Sequence, residues 1–218
     1  MDENELSASC GFIQQLAKPI QQILLQHTRI KRAQKGEILY YENDEIEKIY
    51  FLISGSIKSY KVTRFDKEVF LFIQKASGLI TTFAIEEEEN RYFSNVECMI
   101  DSVVGVMDLV VMRDLSVKHE PLEIFIAKQL ASQTRLLTAV IRRDLVFDST
   151  AKVAYMIERE LNEFNVFKKW EIAYMLNIQP ETLSRILTKF TRDGMIDTDS
   201  NGSVVVLDHK SLIKIYEQ

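Results

Sequence analysis

Residues 168–190 read Lys168-Lys169-Trp170-Glu171-Ile172-Ala173-Tyr174-Met175-Leu176-Asn177-Ile178-Gln179-Pro180-Glu181-Thr182-Leu183-Ser184-Arg185-Ile186-Leu187-Thr188-Lys189-Phe190. Ile172, Ala173 and Leu176 form one apolar face, and Leu183, Ile186, Leu187 and Phe190 form another. Two short helices, over 168–176 and 180–193, account for both. Ala173 is small where the helices must cross closely, and Ile178 plugs the gap after the turn, the pattern of a helix-turn-helix. The polar residues then say which surface faces outward. Glu181, Ser184, Arg185 and Lys189 share the opposite side of the second helix at spacings of 3, 4 and 8, so they can enter a major groove together. Arg185 can donate two hydrogen bonds to a guanine, Glu181 can accept from a cytosine amino group, and Ser184 is small enough to approach a base edge. Thr182, Lys168, Lys169 and Lys189 are placed for phosphates, which position a protein without specifying sequence. The bland alternative is an i,i+4 surface ion pair between Glu181 and Arg185. The helix-turn-helix pattern around them favours base reading.

The segments on either side fit that reading. After the second helix, Asn201-Gly202 is a hairpin turn of the I′ kind before the strand Val204-Val205-Val206, which makes a wing. Before the motif, Asp148-Ser149-Thr150 punctuates the chain and offers a cap to a helix over 151–164. Further back, Pro121 opens a stretch without glycine or proline that runs to Phe147. Ile126, Leu130, Gln133, Leu137 and Val140 fall there at 4-3-4-3 spacing, the seam of a two-stranded coiled coil, with Gln133 fixing register. Leu122, Phe125 and Leu136 lie off that seam, and the alternative is a helix packed only on its own domain.

Upstream the period changes. A helical opening near 10–27 precedes many short β-type runs over 35–113: 38–41, 49–53, 57–62, 69–73, 92–100 and 103–107, separated by turn residues such as Asn43-Asp44 and Ser54-Gly55. Short strands without helical periods between them predict an antiparallel β-roll of jelly-roll type. The fold class is therefore α+β, with a β-roll over 1–118, a dimerisation helix over 119–147 and a winged helix-turn-helix over 148–218. Composition agrees. At 46% apolar and 27% charged the chain can build real cores. The net charge of −5 argues against wholesale coating of nucleic acid, but residues 168–192 carry five cations against two glutamates, and phosphate binding needs only such a local face. Neither G-x-x-x-x-G-K nor G-x-G-x-x-G occurs, and glycine is scarce at 7 residues, which disfavours a nucleotide-processing enzyme. Two cysteines supply no disulfide framework, and no apolar run reaches the roughly 18 residues that span a bilayer, so a cytoplasmic protein without a membrane partner is expected.

Pro180-Glu181-Thr182-Leu183-Ser184-Arg185 resembles the E-T-x-S-R recognition-helix signature of the Crp–Fnr family of bacterial transcription regulators. Lys35-Gly36-Glu37 and Tyr50 to Lys58 look like the first hairpins of that family's β-roll, and the resemblance covers about residues 30–215. It implies a cyclic-nucleotide-binding-like sensor domain and a homodimer whose Glu181, Ser184 and Arg185 read TTGA-like half-sites in palindromic double-stranded DNA. A hinge at Phe147, Asp148 and Ser149 transmits the signal, and RNA polymerase is a further partner if the protein activates. Pro180 departs from members with arginine or valine there, so no contact is carried over to it.

The effector implied is not cAMP. The region Ser77 to Phe83 and Arg91 to Ser94 lacks the family's G-E-[LI] turn and R-[ST] pair, and the four glutamates at 86–89, read as a solvated loop, would repel a phosphate. Tyr92 to Glu97 resembles the branch with the Listeria virulence activator, whose effector is a small thiol peptide. An iron–sulfur cluster needs four thiolates, and only Cys10 and Cys98 are present. Cys98 reads as a buried thiol, and His27, His119 and His209 stand apart, so neither a metal nor a cofactor is assigned. A small-molecule or redox signal is the expectation. The alternatives are a regulator with no effector, a haem- or NO-sensing regulator, and an adaptor that docks proteins instead of DNA. No catalytic residues are assigned, and a cupin-like enzyme would need clustered histidines.

Overall fold

The computed structural model describes residues 14, 16–75, 77–81 and 91–217. The run Glu86 to Glu89, the Thr82-Phe83 pair and Cys10 lie outside them, as does the start of the expected first helix. Helix α1 (Lys18–His27) sets Ile20, Leu24 and Leu25 into a core. Among the described residues eight strands follow: β1 (Arg29–Ala33), β2 (Ile38–Tyr40), β3 (Lys48–Ser54), β4 (Ile57–Val62), β5 (Glu68–Gln74), β6 (Gly78–Leu79), β7 (Asn95–Cys98) and β8 (Ser102–Asp108). They form two four-stranded antiparallel sheets, ordered β1-β8-β3-β6 and β2-β7-β4-β5. Alternation in these strands turns one set of side chains inward, and Ile49, Phe51 and Val104 of one sheet share a core with Leu39, Ile57, Val96 and Cys98 of the other. The expected β-roll is present. Gly55 joins β3 to β4 at φ +106°, where a Cβ would meet the Ser102 hydroxyl at 2.2 Å, so only glycine fits that turn.

Helix α2 (Leu109–Lys118), which the run of strands in the sequence concealed, leads into the long helix α3 (Glu120–Ile141). This helix is shorter than the sequence suggested. It gives way to a π-helical turn, Arg142–Val146, whose i→i+5 bond runs from Phe147 N to Arg142 O at 3.1 Å. The helix expected over 151–164 is two: α4 (Ser149–Arg159) and α5 (Leu161–Val166), broken at Glu160 where ψ swings to 39°. Helices α6 (Lys169–Met175) and α7 (Pro180–Arg192) follow, then β9 (Ile196–Thr198), β10 (Val204–Val206) and α8 (His209–Tyr216), the last unforeseen.

The wing turn differs in kind from the sequence reading. Gly202 takes a positive φ, but Asn201 does not, so the turn is not I′. Asp199 governs it instead, its carboxylate accepting from Asn201 N at 2.9 Å and Ser203 N at 2.8 Å across a longer loop. The chain divides into two compact units, Met1–Leu137 and Thr138–Gln218. The second has its own core of Val153, Ile157, Ile172, Leu183, Phe190 and Leu212 with their neighbours.

Candidate nucleic-acid interface

The helix-turn-helix is assembled as its apolar residues require. Lys168 N donates to Glu171 Oε2 at 2.8 Å, satisfying a free amide at the start of α6. Ala173 is 1% exposed at the crossing with α7, and Ile178 N closes the turn on Ala173 O at 3.0 Å. Asn177 takes φ +52° there, a conformation asparagine tolerates better than most residues. Pro180 begins α7, where its missing N–H costs nothing, and Leu183, Ile186 and Phe190 anchor one side.

The other side of α7 is open. Glu181, Ser184, Arg185, Thr188, Lys189 and Arg192 line one concave stretch of surface, and all six are exposed. Among the described residues no ion pair joins Glu181 to Arg185, so the surface-pair alternative is not what the structure contains. Both side chains keep their full hydrogen-bonding capacity for a partner. Lys168 and Lys169 are exposed at the head of α6, whereas Thr182 is half-buried. Thr188 and Arg192 are additions to the face. Their 3- and 4-residue steps onward from Arg185 and Thr188 are the signal that finds them. The wing loop 198–203 has no lysine or arginine, so the cations of the helix-turn-helix and wing lie on and just before α6 and on α7.

Other residues singled out in the sequence have different surroundings. Ile126 is 2% exposed in the β-roll core and Leu130 packs against it. Gln133, 5% exposed, donates from Nε2 to Leu79 O at 2.7 Å and Ile80 O at 2.9 Å. Leu137 and Val140 are half-buried. Gln133 therefore ties the helix to β6 of its own roll. The face it leaves exposed carries Ile124, Ala127, Ala131, Thr134, Thr138 and Ile141, at 3-4-3-4-3 spacing. Phe147 stacks at a tilt on Tyr155 and Tyr216, 5.5 and 6.1 Å between ring centres. Asp148 accepts from Ala151 N at 2.8 Å as the cap of α4, which Ser149 begins.

Inside the roll, Tyr40 and Tyr92 stack at 3.9 Å, and Ser59 and Ser94 share a hydrogen bond of 2.7 Å. Burial pushes both tyrosines well above the usual phenol range, and it pushes the Cys98 thiol up as well. Among the described residues of the first unit no charged side chain is buried, and Arg91 donates to Asn43 O at the surface. A cyclic phosphate in that interior would meet no cation there, so the residues described do not fit a cyclic nucleotide. His27 and His209 are exposed, His209 beside Glu158 Oε2 at 2.8 Å, and His119 lies between α2 and α3. Among the described residues no three His, Cys, Asp or Glu are grouped to hold a metal ion, and no helix is long and apolar enough to cross a membrane.

A winged helix-turn-helix with an open, cation-bearing recognition face, preceded by a long helix and an antiparallel roll, defines a class: DNA-binding transcription regulators with a sensor domain. Comparison with known proteins places the chain within that class. Residues 152–215 match a Crp-like helix-turn-helix domain and residues 30–119 match a cyclic nucleotide-binding domain. The chain is 23% identical over 198 residues to the fumarate and nitrate reduction regulatory protein of Vibrio cholerae, covering 86% of this chain and 78% of the relative. To the protein of that name in Escherichia coli it is 25% identical over 179 residues, covering 77% and 71%. Its fold is similar to CooA from Carboxydothermus hydrogenoformans (TM-score 0.71, 20% identity, 90% of each chain). It is also similar to FixK2 from Bradyrhizobium japonicum (TM-score 0.65, 16% identity, 86% of this chain and 96% of that one). The protein is a DNA-binding transcription regulator of the Crp/Fnr type, with a cyclic-nucleotide-binding-like domain ahead of its helix-turn-helix.

Proposed function

We propose that this regulator binds a palindromic TTGA-like site as a homodimer, with Glu181, Ser184 and Arg185 reading base edges. Lys168, Lys169, Thr182 and Lys189, joined by Arg192, hold the flanking phosphates. The observation that carries the reading is the unpaired state of Glu181 and Arg185 on one exposed face of α7. A chain using this domain only to dock proteins has no need of that pair, one cation and one carboxylate four residues apart, held open.

The homodimer uses α3, but through the exposed stripe from Ile124 to Ile141 rather than through Ile126, Leu130 and Gln133, which the roll already occupies. Alanine and threonine in the middle of the stripe let two helix backbones approach closely, while the isoleucines at its ends supply apolar area. The effector is a small molecule or a redox signal rather than a cyclic nucleotide, since among the described residues of the roll no charged side chain is buried to meet its phosphate. The stacked Tyr40 and Tyr92 support a second reading, in which the interior is filled by the protein itself and DNA is bound with no effector. If the regulator activates transcription, RNA polymerase is its further partner, and cytoplasmic DNA is its place of work.

The test is fluorescence anisotropy of a labelled TTGA-N6-TCAA duplex against a scrambled one, at two salt concentrations, with the protein as purified. Two chains per palindrome and a steep salt dependence are expected. Equal affinity for both duplexes, before and after addition of reduced glutathione, haem and cAMP in turn, would refute sequence-specific reading.

A further inference from the structure

A polar cluster in the second unit serves neither base reading nor core packing. Asp144, in the π turn, accepts from Lys152 Nζ at 3.0 Å through one carboxylate oxygen and from Asn177 Nδ2 at 3.2 Å through the other. Arg143 grips the same group, Nε to Oδ1 at 3.1 Å and Nη2 to Oδ2 at 2.6 Å. Among the described residues Lys152 is the one buried charged side chain, 9% exposed, and its Nζ also donates to Leu176 O at 3.2 Å. Leu176 and Asn177 form the turn of the helix-turn-helix. One carboxylate thus holds that turn from 33 residues upstream, directly through Asn177 and indirectly through Lys152.

This cluster bears on where the chain can flex. Residues 147–149 lie inside it: Asp144 precedes them, Lys152 follows them, and the two are bonded. A rotation at Phe147, Asp148 or Ser149 would part Asp144 from Lys152, strand a buried ammonium and pull Phe147 from Tyr155 and Tyr216. The junction where α3 becomes the π turn, Ile141 to Arg142, lies upstream of all these bonds, and both residues are exposed.

We propose that Asp144 is a positioning residue that fastens the end of the long helix to the turn of the helix-turn-helix through Lys152 and Asn177. The joint on which the DNA-binding unit swings then lies at Ile141–Arg142 rather than at Phe147–Ser149. The swing rests on the DNA-binding reading above; the fastening does not.

Amide hydrogen exchange on the full chain tests the fastening without DNA. In D144N the amides of Asn177 and Ile178, bonded to Tyr174 O and Ala173 O, should exchange about tenfold faster, with those of β3 unchanged. If D144N alone does not fold, the double variant D144N/K152M, which leaves no stranded charge, decides by the same amides. Wild-type protection at both amides in the double variant, or in a folded D144N, overturns the fastening. The joint is tested by affinity for TTGA/TCAA palindromes with five, six and seven base pairs between half-sites. R142G should flatten the preference among spacings about fivefold and S149G should leave it as in the wild type, because glycine loosens only the position it occupies. The reverse pattern overturns the joint's placement. A wild type that does not tell any palindrome from a scrambled duplex overturns the DNA reading instead, and the exchange result still stands on its own.

Discussion

The roll and the recognition helix handle polar side chains in opposite ways. Within the roll, Ser59 bonds Ser94, the Thr81 hydroxyl accepts from Tyr50 N at 3.0 Å, and Gln133 closes on two carbonyls; each group is buried and each has its partner in the same unit. On α7, Glu181, Ser184, Arg185 and Lys189 are exposed together on one face, while Arg192 at the end of the helix is paired with Asp193. A polar group with its partner beside it stabilises the fold, because leaving it unpaired in the interior would cost about 1–3 kcal/mol. A group held open on a rigid helix stabilises nothing until a ligand arrives. The first kind should therefore be read out in stability and the second in binding.

The anchor beneath the recognition face should give the largest effect. Phe190→Ala removes a fully buried ring and should cost about 3–5 kcal/mol, enough to melt the second unit first. Calorimetry should show its transition moving down while that of the roll stays in place; one joint transition would mean that the units do not melt separately. Arg185→Ala should cost about 1–3 kcal/mol of specific DNA affinity and relax selection at one guanine, with the melting temperature unmoved. If stability fell instead, the arginine would belong with the paired groups and the contrast would fail at its centre. Ser59→Ala should do the converse, destabilising the roll by about 1–2 kcal/mol by orphaning the Ser94 hydroxyl, while a half-site duplex binds as before. Adding Ser94→Ala should return part of that loss, since neither hydroxyl is then left alone.

The two regions were also unequally legible in the sequence. The helix-turn-helix could be read nearly residue by residue, because its apolar steps of three and four and its small Ala173 are local signals. The roll could be read as a class, strand by strand, but not for its pairing order, which depends on contacts far apart in the chain. The long helix α3 shows what such spacing leaves open. Two apolar stripes run along that helix, at 126-130-133-137-140 and at 124-127-131-134-138-141, and periodicity cannot say which one the roll takes. By spacing the more apolar stripe reads as the partner's; the structure gives its first half to the roll, as hydrophobic burial favours. The helical pattern in the sequence runs past the end of α3 for a related reason. Asp144 sits in helical register, and nothing local announces a π turn there or the bonds to Lys152 and Asn177 that accompany it. At the wing, Asn201-Gly202 was the stronger local signal, and the Asp199 carboxylate overrode it with two bonds to the loop.

The smallest of these effects separates the units by pH. Tyr40 and Tyr92 are held in their neutral form chiefly by burial, with folded pKa values well above the unfolded phenol near 10. Their contribution is fully present below pH 10 and is lost as pH rises beyond it, where the unfolded chain ionises first. In the second unit, burial alone would raise Asp144, but Arg143 and Lys152 outweigh it and hold the carboxyl below its usual range. Its contribution is present above the unfolded value near 4 and is lost as pH falls through the folded one. Tyrosine absorbance and calorimetry at both extremes should therefore show the roll yielding first in base and the DNA-binding unit yielding first in acid. In D144N/K152M the acid loss should shrink while the alkaline loss stays as it was. A double variant as acid-sensitive as the wild type would mean that other carboxylates, not this cluster, set the lower limit.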